Sequence, residues 1–250
     1  MTAQNFEHAT SCPNNTLIPK SFERFSSKEF LSAICHELKT PLNAIIGFSD
    51  MVNEIIRNPQ STEECVTYIK EINTVAKEMS EIVHDLLDVE HLEGDFSINK
   101  SQINIADTLK RAVRLNYDHA LRKRINLKVE ISDNLKPINL DAKRMKQVLT
   151  NLISNAIKYS DCSSEVRINA KTINNILEIS VADQGAGMSE EQLKIAFTKY
   201  GTIPNKNSYL VDSLGLGLPI TKHLVELQNG KIEAKSEIGK GTEMTLQFPY

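Results

Sequence analysis

Several groups of residues in this chain have types and spacings suited to chemistry. The first surrounds His36, in the stretch FLSAICHELKTPLNAIIGFSDM from Phe30 to Met51. Apolar residues at Phe30, Ile34, Leu38, Leu42, Ile45 and Val52 recur mostly three or four apart, which is one face of an α-helix. His36 lies two residues past Ile34, about 200° round the wheel at ~100° per residue, and so points away from that seam. Thr40 and Asn43 follow on the same side, and Glu37 is the neighbour of His36. Pro41 leaves the Glu37 carbonyl without its helical partner, which should bend the helix beside the histidine. A lone exposed histidine is ordinarily a solvated surface residue. Here ring, carboxylate, hydroxyl and proline stand together where the seam does not need them.

A second group lies between Asp141 and Tyr159. Leu149, Leu152, Ile153, Ala156 and Ile157 fall on one side of a helix; Asn151, Asn155 and Lys158 fall on the other. Two amides and an ammonium on one face can hold phosphates and a hydrated metal, since magnesium keeps most of its water and one Asn carbonyl suffices. A solvated polar face has the same pattern. Further on, Asp183-Gln184-Gly185-Ala186-Gly187 directly follows a strand. An Asp there can accept a hydrogen bond from an adenine amine, and the glycines let backbone approach the base closely. Gly215-Leu216-Gly217-Leu218 opens the last helix, whose free N–H groups and dipole suit phosphate. Taken singly, these last two motifs are weak, because many turns contain them.

Together they are specific. His36-Glu37-Leu38-Lys39-Thr40-Pro41-Leu42 resembles the phospho-acceptor box of the sensor histidine kinases of two-component systems, and NLISNAIKYS, from Asn151, resembles the asparagine box of their ATP-binding domain. The order of asparagine box, DxGxG, Phe197, polar loop, GLGL and Gly241-Thr242 resembles that domain throughout, and the resemblance covers about Ser26 to the C-terminus. The wording around His36 is close to the cell-cycle kinases of the PleC and DivJ type. The resemblance implies a dimerisation and phospho-acceptor (HisKA) domain joined to a catalytic (HATPase) domain. His36 would be phosphorylated from ATP and Mg²⁺, with Glu37 orienting the ring and accepting its proton. Thr40 would support dephosphorylation of a partner. Asn155 would be the metal ligand, and Asn151 and Lys158 would meet phosphate. Tyr159 would pack beside the adenine, Asp183 with Gly185 and Gly187 would hold it, and Thr242 would reach it through water. Gly215, Gly217 and Leu218 would complete the phosphate side. The phosphoryl group would pass to an aspartate on the receiver domain of a separate response regulator. Met244 stands where the family often has Phe, a tolerable apolar exchange. A phosphotransfer or phosphatase protein without kinase activity, and a non-catalytic ATP-binding scaffold, remain as alternatives. The chain contains neither a GxxxxGK[ST] P-loop nor a GxGxxG after a strand. Chaperone, gyrase and mismatch-repair ATPases share the ATP-binding fold but lack a histidine hairpin before it.

Composition is compatible with this. The chain has 250 residues, 40% of them hydrophobic, and a formal charge of −3. That suffices for two modest domains or one large one. The mild negative balance argues against nucleic acid as a partner. No run approaches the ~18 apolar residues of a membrane span, and nothing resembles a signal peptide. Cys12, Cys35, Cys65 and Cys162 are scattered and fit a reducing cytoplasm.

The elements that must position these groups follow from periodicity and punctuation. Residues 1–25 lack periodicity and are expected to form a mobile leader, leaving no room for a sensing domain. Ser26 to Glu29 matches a capping box, and the first helix should run to about Arg57. Asn58-Pro59-Gln60 breaks it, and Ser61 opens a second helix. That helix has a heptad seam at Ile69, Ile72, Ala76, Met79, Val83, Leu86 and Val89 and ends at Gly94. One hairpin cannot cover both seams, so pairing with a second copy into a dimeric four-helix bundle is expected. From Phe96 a strand to Asn104 is expected, then a helix from Ile105 to Lys123 and a strand from Ile125 to Ile131. Asp141 should cap a helix to Tyr159. Strands at Val166–Ala170 and Ile176–Ala182 should meet over Asn174-Asn175. Ser189 should cap a short helix, and residues 198–213 form a polar loop. A helix from Leu218 to Gln228 and a hairpin of Lys231–Ser236 with Glu243–Phe248 complete the chain. The predicted class is α+β: an antiparallel helical hairpin over residues 26–94, then an α/β sandwich over 95–250.

Overall fold

The computed structural model describes residues 27–57, 62–91, 97–198, 201 and 215–250. Two long helices, α1 (Ser27–Arg57) and α2 (Thr62–His91), form the hairpin. At ~1.5 Å per residue each is roughly 45 Å long. Helix α1 runs unbroken through Pro41, although the proline has no N–H for the Glu37 carbonyl. Phe48 of α1 stacks on Tyr68 of α2, with ring centroids 5.9 Å apart. Part of the apolar seam is not covered within the chain: Leu42, Ile69 and Val83 are exposed, as are Ile46 and Met51 beside it. The expected capping box at Ser26, the break at Asn58-Pro59-Gln60, the start at Ser61 and the stop at Gly94 lie outside the described residues, as does the leader.

The remainder is a two-layer sandwich. In chain order it contains β1 (Ser101–Ile103), α3 (Ile105–Arg122), β2 (Asn126–Ile131), β3 (Ile138–Leu140), α4 (Ala142–Tyr159), β4 (Glu165–Ile173), β5 (Ile176–Ala182), α5 (Glu190–Ala196), α6 (Gly217–Glu226), β6 (Lys231–Glu237) and β7 (Gly241–Pro249). The main sheet has the order β2-β4-β5-β7-β6; β2 and β4 are parallel and the other pairs antiparallel. Period-2 alternation sorts its faces. Val166, Ile168, Leu177, Ile179, Leu246 and Phe248 are fully buried beneath the helices. The opposite face carries Arg167, Lys171 and Glu178, with Lys171 paired to Glu178 at 3.1 Å. Asn174 and Asn175 take positive φ of 49° and 61°, the geometry of the tight turn that their types favour.

Two strands differ from what the sequence predicts. The nine-residue strand expected from Phe96 to Asn104 is only the three-residue β1, and β3 was not expected at all. These strands pair with each other, Ser101 opposite Leu140, in a separate ribbon. Each is too short to show a period of its own, and the pairing is long-range. The ends of β4, α6, β6 and β7 also shift by one to three residues. No helix among the described residues is long and apolar enough to cross a membrane.

The two parts touch. Ile34 of α1 and Ile82 and Leu86 of α2 pack against the sandwich's hydrophobic core.

Candidate functional site

Helix α4 is the frame of the site. Asp141 caps it, its Oδ1 accepting from the N–H groups of Lys143 and Arg144 at 2.9 and 3.0 Å. The same carboxylate accepts from Asn99 N–H through Oδ2 at 2.9 Å, and the Asp141 N–H donates to the buried Gln228 at 2.7 Å. The start of α4 is thereby tied to the segment leading into the sandwich and to the residues after α6. Leu149, Leu152, Ile153, Ala156 and Ile157 are buried as expected, and Val148 joins them. Asn151, Asn155 and Lys158 are half-buried on the other face.

The two amides form a directed relay. Asn155 Nδ2 donates to Asn151 Oδ1 at 3.4 Å, and Asn151 Nδ2 donates to the hydroxyl of Thr221 on α6 at 2.7 Å. Both donor groups are committed inward, so the Asn155 carbonyl oxygen is the acceptor left for a cation. Among the described residues no cluster of His, Cys, Asp or Glu could hold a metal. One amide oxygen fits an ion that keeps its water and takes its other ligands from phosphate. A Cβ on Gly217 would come within 2.6 Å of Asn151 Oδ1 and would displace that amide, so glycine lets the first turn of α6 lie against this relay undisturbed. The N-cap of α6, Leu216, makes no side-chain hydrogen bond, so among the described residues no side chain caps the N–H groups of Gly217 and Leu218, which suit an anion. Gly215 precedes it, half-buried, and Leu218 packs against the core.

At the other end of α4, Asp183 follows the last residue of β5. Its Oδ1 accepts from the N–H groups of Gly185 at 2.8 Å and Thr242 at 3.1 Å. Among the described residues nothing occupies Oδ2. Burial pushes the Asp183 carboxyl above its usual 3.8, and the amides of Gly185 and Thr242 oppose that shift without cancelling it. A carboxylate anchored by one oxygen in a half-dry place is a strong acceptor for an exocyclic amine. Gly185 lies against the backbone carbonyl of Tyr159; any Cβ there would collide with it. The DQGAG turn is therefore docked on the last turn of α4. Gly187 lies against the Glu237 carbonyl, and the Gly239 N–H donates to the Ala186 carbonyl at 2.7 Å.

The structure thus brings Asp183, Gly185, Gly187 and Thr242 together with the Tyr159 backbone, and Asn151 and Asn155 together with Gly217. The Tyr159 ring is exposed, and Lys158 Nζ lies 5.6 Å from its centroid. His36 and Glu37 are on α1, but their side chains lie outside the described residues. Thr40 is exposed on the same helix. Thr221, which no sequence motif marks, is 1% exposed and holds Asn151. Ser236, too, lies outside those motifs. Its hydroxyl accepts from Met188 N–H at 2.8 Å, donates to the Gly241 carbonyl and shares a bond with the Thr242 hydroxyl. Its inward place in the alternation Ile232, Ala234, Ser236 was the available signal.

Two family models and several known proteins match this chain. Residues 26–95 match the family described as His Kinase A (phospho-acceptor) domain. Residues 140–250 match the family described as Histidine kinase-, DNA gyrase B-, and HSP90-like ATPase. The cell-division control histidine kinase PdhS of Brucella suis is 31% identical over 242 residues, covering 92% of this chain. The chain spans only 23% of that relative's length. Among solved structures, full-length ShkA in complex with AMPPNP superposes with a TM-score of 0.62 at 24% identity, covering 89% of this chain and 45% of that one. ThkA in complex with the response regulator protein TrrA gives 0.58 at 21%, covering 88% and 61%. These two share the fold.

Proposed function

Because this chain belongs to the histidine kinases, with their phospho-acceptor domain placed ahead of their ATPase domain, we propose that it phosphorylates His36 from ATP. The phosphoryl group then passes to an aspartate on a response-regulator receiver domain. One arrangement carries this most directly. Asp183 is fixed through one oxygen by the amides of Gly185 and Thr242, and its other oxygen is left to a ligand amine. Adenine offers such an amine. From that anchor the site extends along α4 to the Asn155 oxygen and the open first turn of α6, which are chemically suited to a triphosphate.

In the reaction an imidazole nitrogen of His36 bonds to the γ-phosphorus. The bond from that phosphorus to the β–γ bridging oxygen breaks, and ADP leaves with the electron pair. Glu37 orients the ring and takes its proton. Asn155 would hold a magnesium ion, which when bound neutralises phosphate charge. The remaining demand on the protein is positioning. Lys158 and Asn151 border the phosphate path, and Thr242, beside Asp183, borders the base. Thr40 lies one turn after His36 and supports water attack on a docked aspartyl phosphate.

The exposed apolar residues of the hairpin support a two-fold dimer in which a second copy completes a four-helix bundle. The free thiols of Cys35, Cys65 and Cys162 support a reducing, cytoplasmic setting. The cell-division role printed for PdhS supports a place in cell-cycle signalling. The whole proposal is tested by incubating the protein with γ-labelled ATP and magnesium, then adding a panel of purified receiver domains. Acid-labile, alkali-stable label on the chain that moves rapidly to one receiver is the expected result. Nucleotide binding without label would favour a non-catalytic scaffold.

A further inference from the structure

Helix α4 ends at Tyr159, directly beneath the DQGAG turn, and a helix end presents carbonyls that have no partner within the helix. The backbone answers only one of them: the Ser160 N–H donates to the Ala156 carbonyl at 3.2 Å. The next ones are met from outside. Lys123, at the C-terminal cap of α3, reaches across and donates through Nζ to the carbonyls of Ile157 at 3.1 Å, Lys158 at 2.6 Å and Ser160 at 3.2 Å. An ammonium has three N–H donors, and all of them are used. Its positive charge also lies at the negative end of the helix dipole.

The Tyr159 carbonyl is the one in this run that Lys123 leaves alone, and it is the carbonyl on which Gly185 is packed. Lys123 is itself held at both ends. Its N–H donates to the His119 carbonyl at 3.3 Å, and its own carbonyl accepts from Ser163 N–H at 3.1 Å. The chain then turns through Arg124 at a left-handed φ of 56° into β2. The clasp therefore joins the end of α3, the end of α4 and the entry to β4, and its output is the placement of one carbonyl at the adenine end of the site.

We propose that Lys123 is a positioning residue for nucleotide binding: by clasping the carbonyls around Tyr159 it holds the surface on which the DQGAG turn, and with it Asp183, is seated. It meets Lys158 only at the backbone carbonyl, and no side chain proposed to meet ATP. The Asn155 end of the site is held separately by Thr221, so loss of the clasp weakens recognition of the base and spares the transfer step. This rests on the proposed placement of the adenine at Asp183.

The test uses Lys123→Met, Lys123→Arg and Lys123→Gln in the full chain, with Asp183→Asn alongside. Adenosine and ADP affinities are measured by calorimetry well below each variant's melting temperature. Lys123→Met is expected to weaken both by the same factor, about tenfold, which is ~1.4 kcal/mol. In steady-state labelling the KM for ATP should rise by that factor while kcat stays within about twofold, the pattern of lost binding that is common to ground and transition states. Lys123→Arg, which keeps charge and several donors, should recover most of the affinity. A clasp that serves only the fold would lower the melting temperature and leave adenosine affinity unchanged, which would overturn the proposal. So would a fall in kcat at constant KM. If Lys123→Met does not fold, Lys123→Gln carries the same comparison. Unchanged adenosine binding in Asp183→Asn would sink the adenine placement and this inference together. Loss there with no change at Lys123 would sink this inference alone.

Discussion

Replacing Asp183 by Asn separates the fold of the site from its chemistry. Oδ1 of Asp183 holds two backbone N–H donors, from Gly185 at 2.8 Å and Thr242 at 3.1 Å. An Asn side chain must keep its carbonyl oxygen on those donors, because turning the NH₂ toward them would set donor against donor. The NH₂ is thereby forced into the position of Oδ2, where it would face the amine of an adenine bound as proposed. The lost acceptor and the new clash of donors in a half-buried place cost ~1–3 kcal/mol, or about 5- to 150-fold in nucleotide affinity. Stability should not fall. Burial raises the Asp183 pKa in the folded state above 3.8, so ionising this group opposes folding. That penalty is absent below the unfolded pKa and complete above the folded one, and in that window wild-type stability falls as pH rises. Asn carries no such penalty, so at neutral pH the variant should melt at or slightly above the wild-type temperature. Calorimetric titration with ADP, paired with thermal melts, reads both effects. Affinity within about twofold of wild type, with the fold intact, would refute the role of Asp183. Acidification gives a second reading. Protonating Asp183 turns the free oxygen into a donor, so wild-type affinity should drop at a pH above the ordinary carboxylate value, and the Asn variant should lose that inflection.

Other outcomes follow from the same geometry. His36→Ala should abolish labelling by γ-labelled ATP while ADP titration gives unchanged affinity; residual label on the variant would place the acceptor elsewhere. Thr221→Val leaves the Asn151 amide without its acceptor and loosens the relay to Asn155. It should weaken magnesium–ADP binding by about 1–3 kcal/mol and leave adenosine binding alone, by calorimetry. Thr40→Ala should keep autophosphorylation and slow decay of purified phospho-regulator by about tenfold, near ~1.4 kcal/mol in the barrier. Equal decay with both proteins, given that wild type accelerates decay, would reduce Thr40 to a surface residue.

Much of this molecule was legible in the chain because the relevant signals are local. A helix shows its buried face within two turns, and so the division of α4 between Leu149, Leu152 and Ile153 on one side and Asn151 and Asn155 on the other was set by spacing alone. The Asn174-Asn175 turn and the Ser189 cap are likewise short-range chemistry. Tertiary structure decided whatever depends on partners distant in sequence. The ribbon of β1 and β3 exists only because Ser101 meets Leu140. The direction of the Asn155 amide depends on Thr221, which is buried on another helix. Gly185 is required by the Tyr159 carbonyl rather than by its own turn, and that carbonyl is flanked by ones that Lys123 holds from the end of α3. The residue types proposed to do the chemistry could be named from their order in the chain. Which atom each one offers was settled by hydrogen bonds across the fold, because an amide or carboxylate has two ends and only a neighbour in space chooses between them.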